Sequence, residues 1–245
     1  MDQGIYTAAA GAMAMEVKLA VIANNIANAN TVGFKKEVVT FEEYLKQLDT
    51  SPLVPVQYQR IPEDVITKEY YIDTSQGPSR QTGNPLDVAI IGDGYFVVNT
   101  DRGPRYTRSG SFQRSPAGVL VDFQGNPVQG EGGDIPIASG EVIIARDGTV
   151  SVNEEVVDKL QVMDIASEAL QRMGNNYFEV KQGFAPAAKE NPVIEQAALE
   201  FSNVDVVKEM LGLIETQRAY ESFQKMMRTV SDAYGQAIHN VGTVG

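Results

Sequence analysis

Apolar residues recur at helical spacing at both ends of the chain and gather into short runs in its middle. At the N-terminus Ile5, Ala8, Ala12, Met15, Leu19, Ile22, Ile26 and Ala29 keep an unbroken spacing of three and four, which predicts a helix from about Gln3 to about Asn30. Thr31-Val32-Gly33 follows, and Gly33 suits the left-handed residue that closes a helix. Near the C-terminus Tyr220, Phe223, Met227, Val230, Tyr234, Ala237 and Val241 form a second stripe. Ser202 with Asp205 three residues later predicts a capping box just before Val206, and the helix runs on to about Asn240. Gln217, Gln224 and Ser231 recur every seven residues beside that stripe, a polar seam of the kind that fixes register between packed helices.

Between the ends the pattern changes. All eleven prolines lie from Pro52 to Pro192, and fifteen of the 22 glycines lie from Gly77 to Gly183. Short apolar runs (Leu86 to Ile91, Tyr95 to Val98, Val119 to Val121, Val142 to Ala145, Lys159 to Ile165, Tyr177 to Val180) alternate with turn signals at Asp93-Gly94, Gln124-Gly125-Asn126-Pro127 and Asp147-Gly148. Such runs predict an antiparallel β-domain. The fold class expected is therefore α+β: a discontinuous helical coiled-coil domain built from both termini, with the β-domain inserted. Its parts are residues 1–35 (N-terminal helix), 36–75 (extended connector), 76–190 (β-domain) and 191–245 (C-terminal helix). Within the connector, Phe41 to Leu48 extends or follows the first helix, and Pro52, Pro55 and Pro62 force extended chain.

The N-terminal stripe is weak. Three of its eight positions are alanine, and only Glu16 and Lys18 carry charge between Ile5 and Phe34. A buried Leu or Ile contributes roughly 1.5–3 kcal/mol, whereas ordering each residue costs roughly 1–2 kcal/mol. A lone helix of this composition is marginal, so the ends are expected to be loose in the monomer and to order against neighbouring subunits.

Composition narrows the chemistry. Lys+Arg 20 against Asp+Glu 32 gives a net charge of −12, which opposes binding to nucleic acid. There is no cysteine, so disulfides, thiolate metal sites and cysteine nucleophiles are excluded. The start lacks the positive region of a secretory signal, and Asn24, Asn25, Asn28 and Asn30 argue against a membrane span from Leu19 to Phe34. No cofactor, metal or catalytic set is expected. Gly92-Asp93-Gly94 lacks a third glycine at Val97 and reads as a hairpin turn rather than a nucleotide loop. His239 is the only histidine and reads as a tail residue. Glu42-Glu43, Glu63-Asp64 and Glu154-Glu155 are sequence neighbours that point apart.

Two features point to protein contacts. Arg102, Arg105, Arg108 and Arg114 fall within thirteen residues, either an exposed hairpin or an anchor for carboxylates of a neighbouring acidic subunit. Asn25 and Asn28 lie about one turn apart, placed either to bond across subunits or to satisfy their own helix end.

The asparagine-rich stretch Ala23-Asn24-Asn25-Ile26-Ala27-Asn28-Ala29-Asn30-Thr31-Val32-Gly33-Phe34-Lys35 resembles the N-terminal motif of the flagellar basal-body rod and hook (axial) protein family. Leu199-Glu200, Ser202-Asn203-Val204-Asp205, Glu209-Met210 and Gln217-Arg218-Ala219-Tyr220-Glu221 are similar to its C-terminal motif. Gly92-Asp93-Gly94-Tyr95-Phe96-Val97-Val98, Tyr106-Thr107-Arg108-Ser109-Gly110-Ser111-Phe112 and Asp147-Gly148-Thr149-Val150 resemble its central β-domain. Length and the opening Met1-Asp2-Gln3-Gly4-Ile5-Tyr6-Thr7-Ala8 look most like a proximal rod subunit, with a distal rod subunit or a non-flagellar coiled-coil binding module as alternatives.

The resemblance implies a structural subunit and no enzyme. Such a subunit leaves the cell interior through the flagellar type III export apparatus without a cleaved signal, inserts into no membrane, and joins itself and other rod subunits in the periplasm-spanning rod. Its terminal helices would transmit torque and enclose the export channel. The helical interface residues expected are Ile5, Ala12, Met15, Leu19, Ile22, Asn25, Ile26, Asn28, Leu213, Gln217, Tyr220, Phe223, Met227, Val230 and Tyr234, with the four arginines as a charged contact.

Overall fold

The computed structural model describes residues 3–43 and 66–242. Pro52, Pro55, Pro62, Glu63-Asp64 and the part of Phe41–Leu48 beyond Glu43 lie outside the described residues, as does the side chain of His239. Two helices and a strand-rich middle make the chain α+β. Helix α1 is Gln3–Ala27 and helix α2 is Val206–Gly242. The chain divides into two compact units. The first contains α1 as far as Asn24 and α2 from Val207; the second is formed by Asn25–Glu37 and Tyr71–Val206.

In the helical unit α1 and α2 approach each other beside two glycines. A Cβ added to Gly11 would come 2.6 Å from the Phe223 ring, and one added to Gly212 would lie 3.7 Å from Ile22. Position 11 faces 223 and position 22 faces 212, so the helices run antiparallel. Gly11 leaves room for the Phe223 ring, and Gly212 lies beside Ile22. Gly11→Val is therefore expected to displace Phe223 and to lower the helical circular dichroism of the purified protein, while the melting of the β-rich unit stays put. A loss of both signals together would contradict this.

The β-rich unit centres on a six-stranded antiparallel sheet. Its strand order is Leu170–Arg172, Tyr177–Val180, Gly103–Thr107, Tyr95–Thr100, Val162–Asp164, Ala187–Ala188. Side chains alternate across it, as the two-residue period of a strand requires. Phe96 and Val98 enter one core with Val88, Ile90, Phe112, Leu120 and Ile194. Tyr95 and Phe178 enter the other, with Ile72, Ile165 and Leu170, and their rings meet edge to face at 5.5 Å.

Several expectations change. Residues 28–30 form a turn, so α1 ends at Ala27, and Gly33 takes the left-handed conformation at φ 68°. Glu37–Glu43 is a strand, paired with Ile66–Ile72, rather than a helical extension. Val193–Gln196 and Ala198–Glu200 pair with Val88–Ile91 and Ser79–Gln81, so they are strands, and helix starts only at Val206. Ser202 Oγ accepts the Val204 N–H at 3.3 Å; the residue directly before α2 is Asp205, because Ser202 is held in the β-rich unit. Gly92-Asp93-Gly94 is no hairpin. The strands on its two sides pair with different partners, so it is a corner between sheets.

Candidate functional site

The stripes expected at the interface occupy the helical unit. Ala12 and Ile22 are buried, Ile5, Met15 and Leu19 are half-buried. On α2 Leu213, Tyr220, Phe223, Met227, Val230 and Tyr234 are all half-buried, and Gln217 is exposed, donating to Glu221 at 3.2 Å. None of these seven is fully covered. A second apolar row, which the sequence reading missed, is more open still: Val207 is 68% exposed, Met210 54%, Leu211 58% and Ile214 48%. Its spacing of three, one and three is one face of a helix.

The asparagine-rich motif does something else. Asn25 is buried; its Nδ2 donates to the Glu37 carbonyl at 2.9 Å, and its Oδ1 accepts the Glu37 N–H at 3.0 Å. Asn28 Oδ1 accepts from the Thr31 hydroxyl at 3.2 Å. Ile26 is half-buried. Residues 31–35 then dock on the β-rich unit. Gly33 donates to the Glu200 carbonyl at 2.8 Å, Asn176 Nδ2 donates to the Val32 carbonyl at 2.9 Å, and the Arg172 guanidinium covers the Phe34 ring at 4.4 Å and donates to the Lys35 carbonyl.

At the end of this segment lies a buried ion triad. The Lys35 ammonium reaches Glu200 Oε1 at 2.7 Å and donates to the Ser75 carbonyl at 2.7 Å. Arg108 Nε reaches Glu200 Oε2 at 2.6 Å. Its other nitrogens donate to the carbonyls of Ile90, Gly92 and Gly94. Gly77 N–H completes the Glu200 carboxylate at 2.9 Å. The three side chains are 1–3% exposed. The corner at Gly92-Asp93-Gly94 is thus a carbonyl cradle for a guanidinium. Burial pushes the Lys35 ammonium below its ordinary range, against the opposing pull of Glu200.

The four arginines do not gather. Arg108 is buried in the triad, Arg105 pairs with Glu179 at 3.4 Å, and Arg102 and Arg114 are exposed. The signal for the triad was present in the sequence: Lys35, Arg108 and Glu200 each sit inside a motif segment, but their mutual contact spans 165 residues.

Two phenols also sit against charge. Burial raises Tyr95, and burial with the bond to Asp122 raises Tyr177. A raised phenol stabilises the fold below its unfolded value, 10.0, and that stability is lost as pH climbs past it. Lys35 is lowered from 10.5 and works in the opposite sense, favouring the fold as pH approaches that value. Burial raises Tyr106 as well, so three phenols against one ammonium give a net loss above about pH 10. The last tyrosinate absorbance is expected to appear only as ellipticity collapses; full tyrosinate in a folded protein would contradict this.

Three family models match the chain: "Flagella basal body rod protein" over residues 5–35, "Flagellar hook protein FlgE/F/G D1 domain" over 89–152, and "Flagellar basal body rod FlgEFG protein C-terminal" over 195–239. Together they take in all three triad residues, Lys35, Arg108 and Glu200, and much of the β-rich unit. The chain belongs to the flagellar basal-body rod protein family. Within it the chain resembles FlgF over its whole length. It is 36% identical to the basal-body rod protein FlgF of Caulobacter vibrioides over 254 residues, covering 100% of both chains. It is 34% identical to FlgF of Rhizobium meliloti, covering 99% of each. The rod protein FlgG of Caulobacter vibrioides is 33% identical, with 93% of this chain and 95% of the relative covered. The protein is accordingly a structural rod subunit of the basal body, not an enzyme, and it assembles with other basal-body components.

Proposed function

We propose that this chain is a proximal rod subunit that packs helically through α1 and α2, so that the paired ends transmit torque and surround the export channel. The observation that carries this reading is the incomplete burial of α2. Its apolar stripe from Leu213 to Tyr234 is only half-buried, with Phe223 near Gly11 of α1, and the row Val207, Met210, Leu211 and Ile214 lies open to solvent. Covering each such side chain would contribute roughly 1.5–3 kcal/mol, and helices with a bare apolar row gain their full order from neighbours. The neighbours are further copies of the chain and other rod subunits, with Arg102 and Arg114 available to acidic groups on them. Passage through the type III export apparatus without a cleaved signal, into the periplasm-spanning rod, fits ends that are only weakly self-sufficient.

No helix among the described residues is long and apolar enough to cross a membrane, in keeping with a subunit held by protein contacts. Deleting the gene tests the reading. Loss of motility together with truncated basal bodies is expected, with recovery from a plasmid copy. Intact basal bodies in the deletion strain would overturn it. Truncation beyond the proximal rod, with the inner segment complete, would favour a distal subunit instead.

A further inference from the structure

The backbone passes between the β-rich unit and the rest of the chain four times, at residues 24–25, 37–38, 70–71 and 206–207. Within the β-rich unit, the segments leading to all four passages are hydrogen-bonded to one another. Asn25 holds both backbone groups of Glu37, tying the first passage to the second. The Asp73 N–H donates to the Lys36 carbonyl at 3.0 Å, tying the second to the third. Asn203 joins the fourth to both: its Oδ1 accepts the Lys36 N–H at 2.8 Å, and its Nδ2 donates to the carbonyls of Asp73 at 2.9 Å and Ser75 at 3.1 Å.

Next to this ring lies the triad. Lys35 adjoins the Lys36 ties, its ammonium shares the Ser75 carbonyl with Asn203, and Glu200 stands three residues before Asn203. Two backbone bonds lock the same residues, Gly33 N–H to the Glu200 carbonyl and Gly77 N–H to the Glu200 carboxylate. Untied segments would yield one at a time under load. Cross-tied strands share the load, and a network of buried polar bonds gives way only as a set.

We propose that Asn25, Asn203 and the Lys35–Glu200–Arg108 triad form a clamp that ties together, within the β-rich unit, the segments leading to all four passages, so that they carry load as a set. The function assigned is mechanical: load arriving along any one passage is shared by the tied segments of the β-rich unit. The proposal rests on the rod reading above, from which the load comes.

Asn203 is only half-buried, so Asn203→Ala removes four hydrogen bonds, to the Lys36 N–H, the Asp73 carbonyl and the Ser75 carbonyl and hydroxyl, without stripping a buried charge. Cells carrying it in place of the native gene are expected to build basal bodies in wild-type number and to swim normally in dilute medium. They should lose motility in medium thickened with an inert polymer, where motor load is high. Asn203→Asp keeps the acceptor for Lys36 and should recover part of that loss. Faster hydrogen exchange at Lys36 in purified Asn203→Ala protein shows that the tie is open. With that exchange observed, wild-type swimming in the thickened medium would overturn the clamp, and so would a shortage of basal bodies, since the residue would then act in assembly. A motile deletion strain would instead overturn the rod reading itself.

Discussion

Glu200→Gln is expected to lower the unfolding midpoint of the β-rich unit by roughly 6–20 °C. The change keeps the shape of the side chain and removes its charge, leaving the Lys35 and Arg108 cations buried beside one another without a counter-ion. Removing one partner of a buried ion pair costs about 3–5 kcal/mol, and each kcal/mol moves the midpoint of a domain of this size by about 2–4 °C. Lys35→Met should cost less, because Arg108 and Glu200 remain as a neutral pair. The order of the two variants is the informative result. Thermal melts followed by circular dichroism check it: equal midpoints for wild type and Glu200→Gln would mean that the triad contributes nothing.

Gly33→Ala is the second large effect. Gly33 has φ +68°, and an added Cβ would stand 2.3 Å from the Ser109 nitrogen and 2.5 Å from the Arg108 carbonyl carbon. Those neighbours are backbone atoms, which cannot rotate away. The left-handed conformation alone costs a side chain roughly 1–2 kcal/mol, and overpacking adds roughly 1–3 kcal/mol. Gly83 supplies the control, with φ +78° and nothing within 4 Å of its added Cβ; Gly83→Ala should show the conformational cost only. Gly33→Ala is expected to free residues 31–37 for proteolysis and to abolish swimming. Equal protease resistance in the two variants would show that close approach to Arg108–Ser109 is unimportant.

How far the sequence revealed this depends on the range over which each interaction acts. The helices were legible because 3.6-residue spacing is local: Ile5 to Ile26 and Tyr220 to Tyr234 announce themselves without knowledge of a partner. Central strands such as Tyr95–Thr100 and Tyr177–Val180 were legible as apolar runs. Ser79–Gln81, Ala187–Ala188 and Ala198–Glu200 were not, since two or three residues hold no period and their pairing is decided by distant strands. Charge was the least legible property. Arg108 stood in a run of arginines and read as surface, yet it lies in a carbonyl cradle formed by a corner that read as a hairpin. The asparagine-rich motif carried its family signature openly. Its bonds to Glu37 and its docking at Glu200 emerged only in three dimensions.

That docking makes the end of the N-terminal motif part of the β-rich unit, while the helical ends are proposed to gain their order from neighbouring subunits. Hydrogen exchange on dilute, purified monomer tests this claim most directly. The amides of Gly33 and Glu37, bonded to Glu200 and Asn25, are predicted to exchange as slowly as those of Phe96 and Val98 in the central sheet. Those of α1 before Asn24 and of α2 from Val207 to Tyr234 should exchange far faster. Rapid exchange at Gly33 and Glu37, in step with α1, would contradict the account.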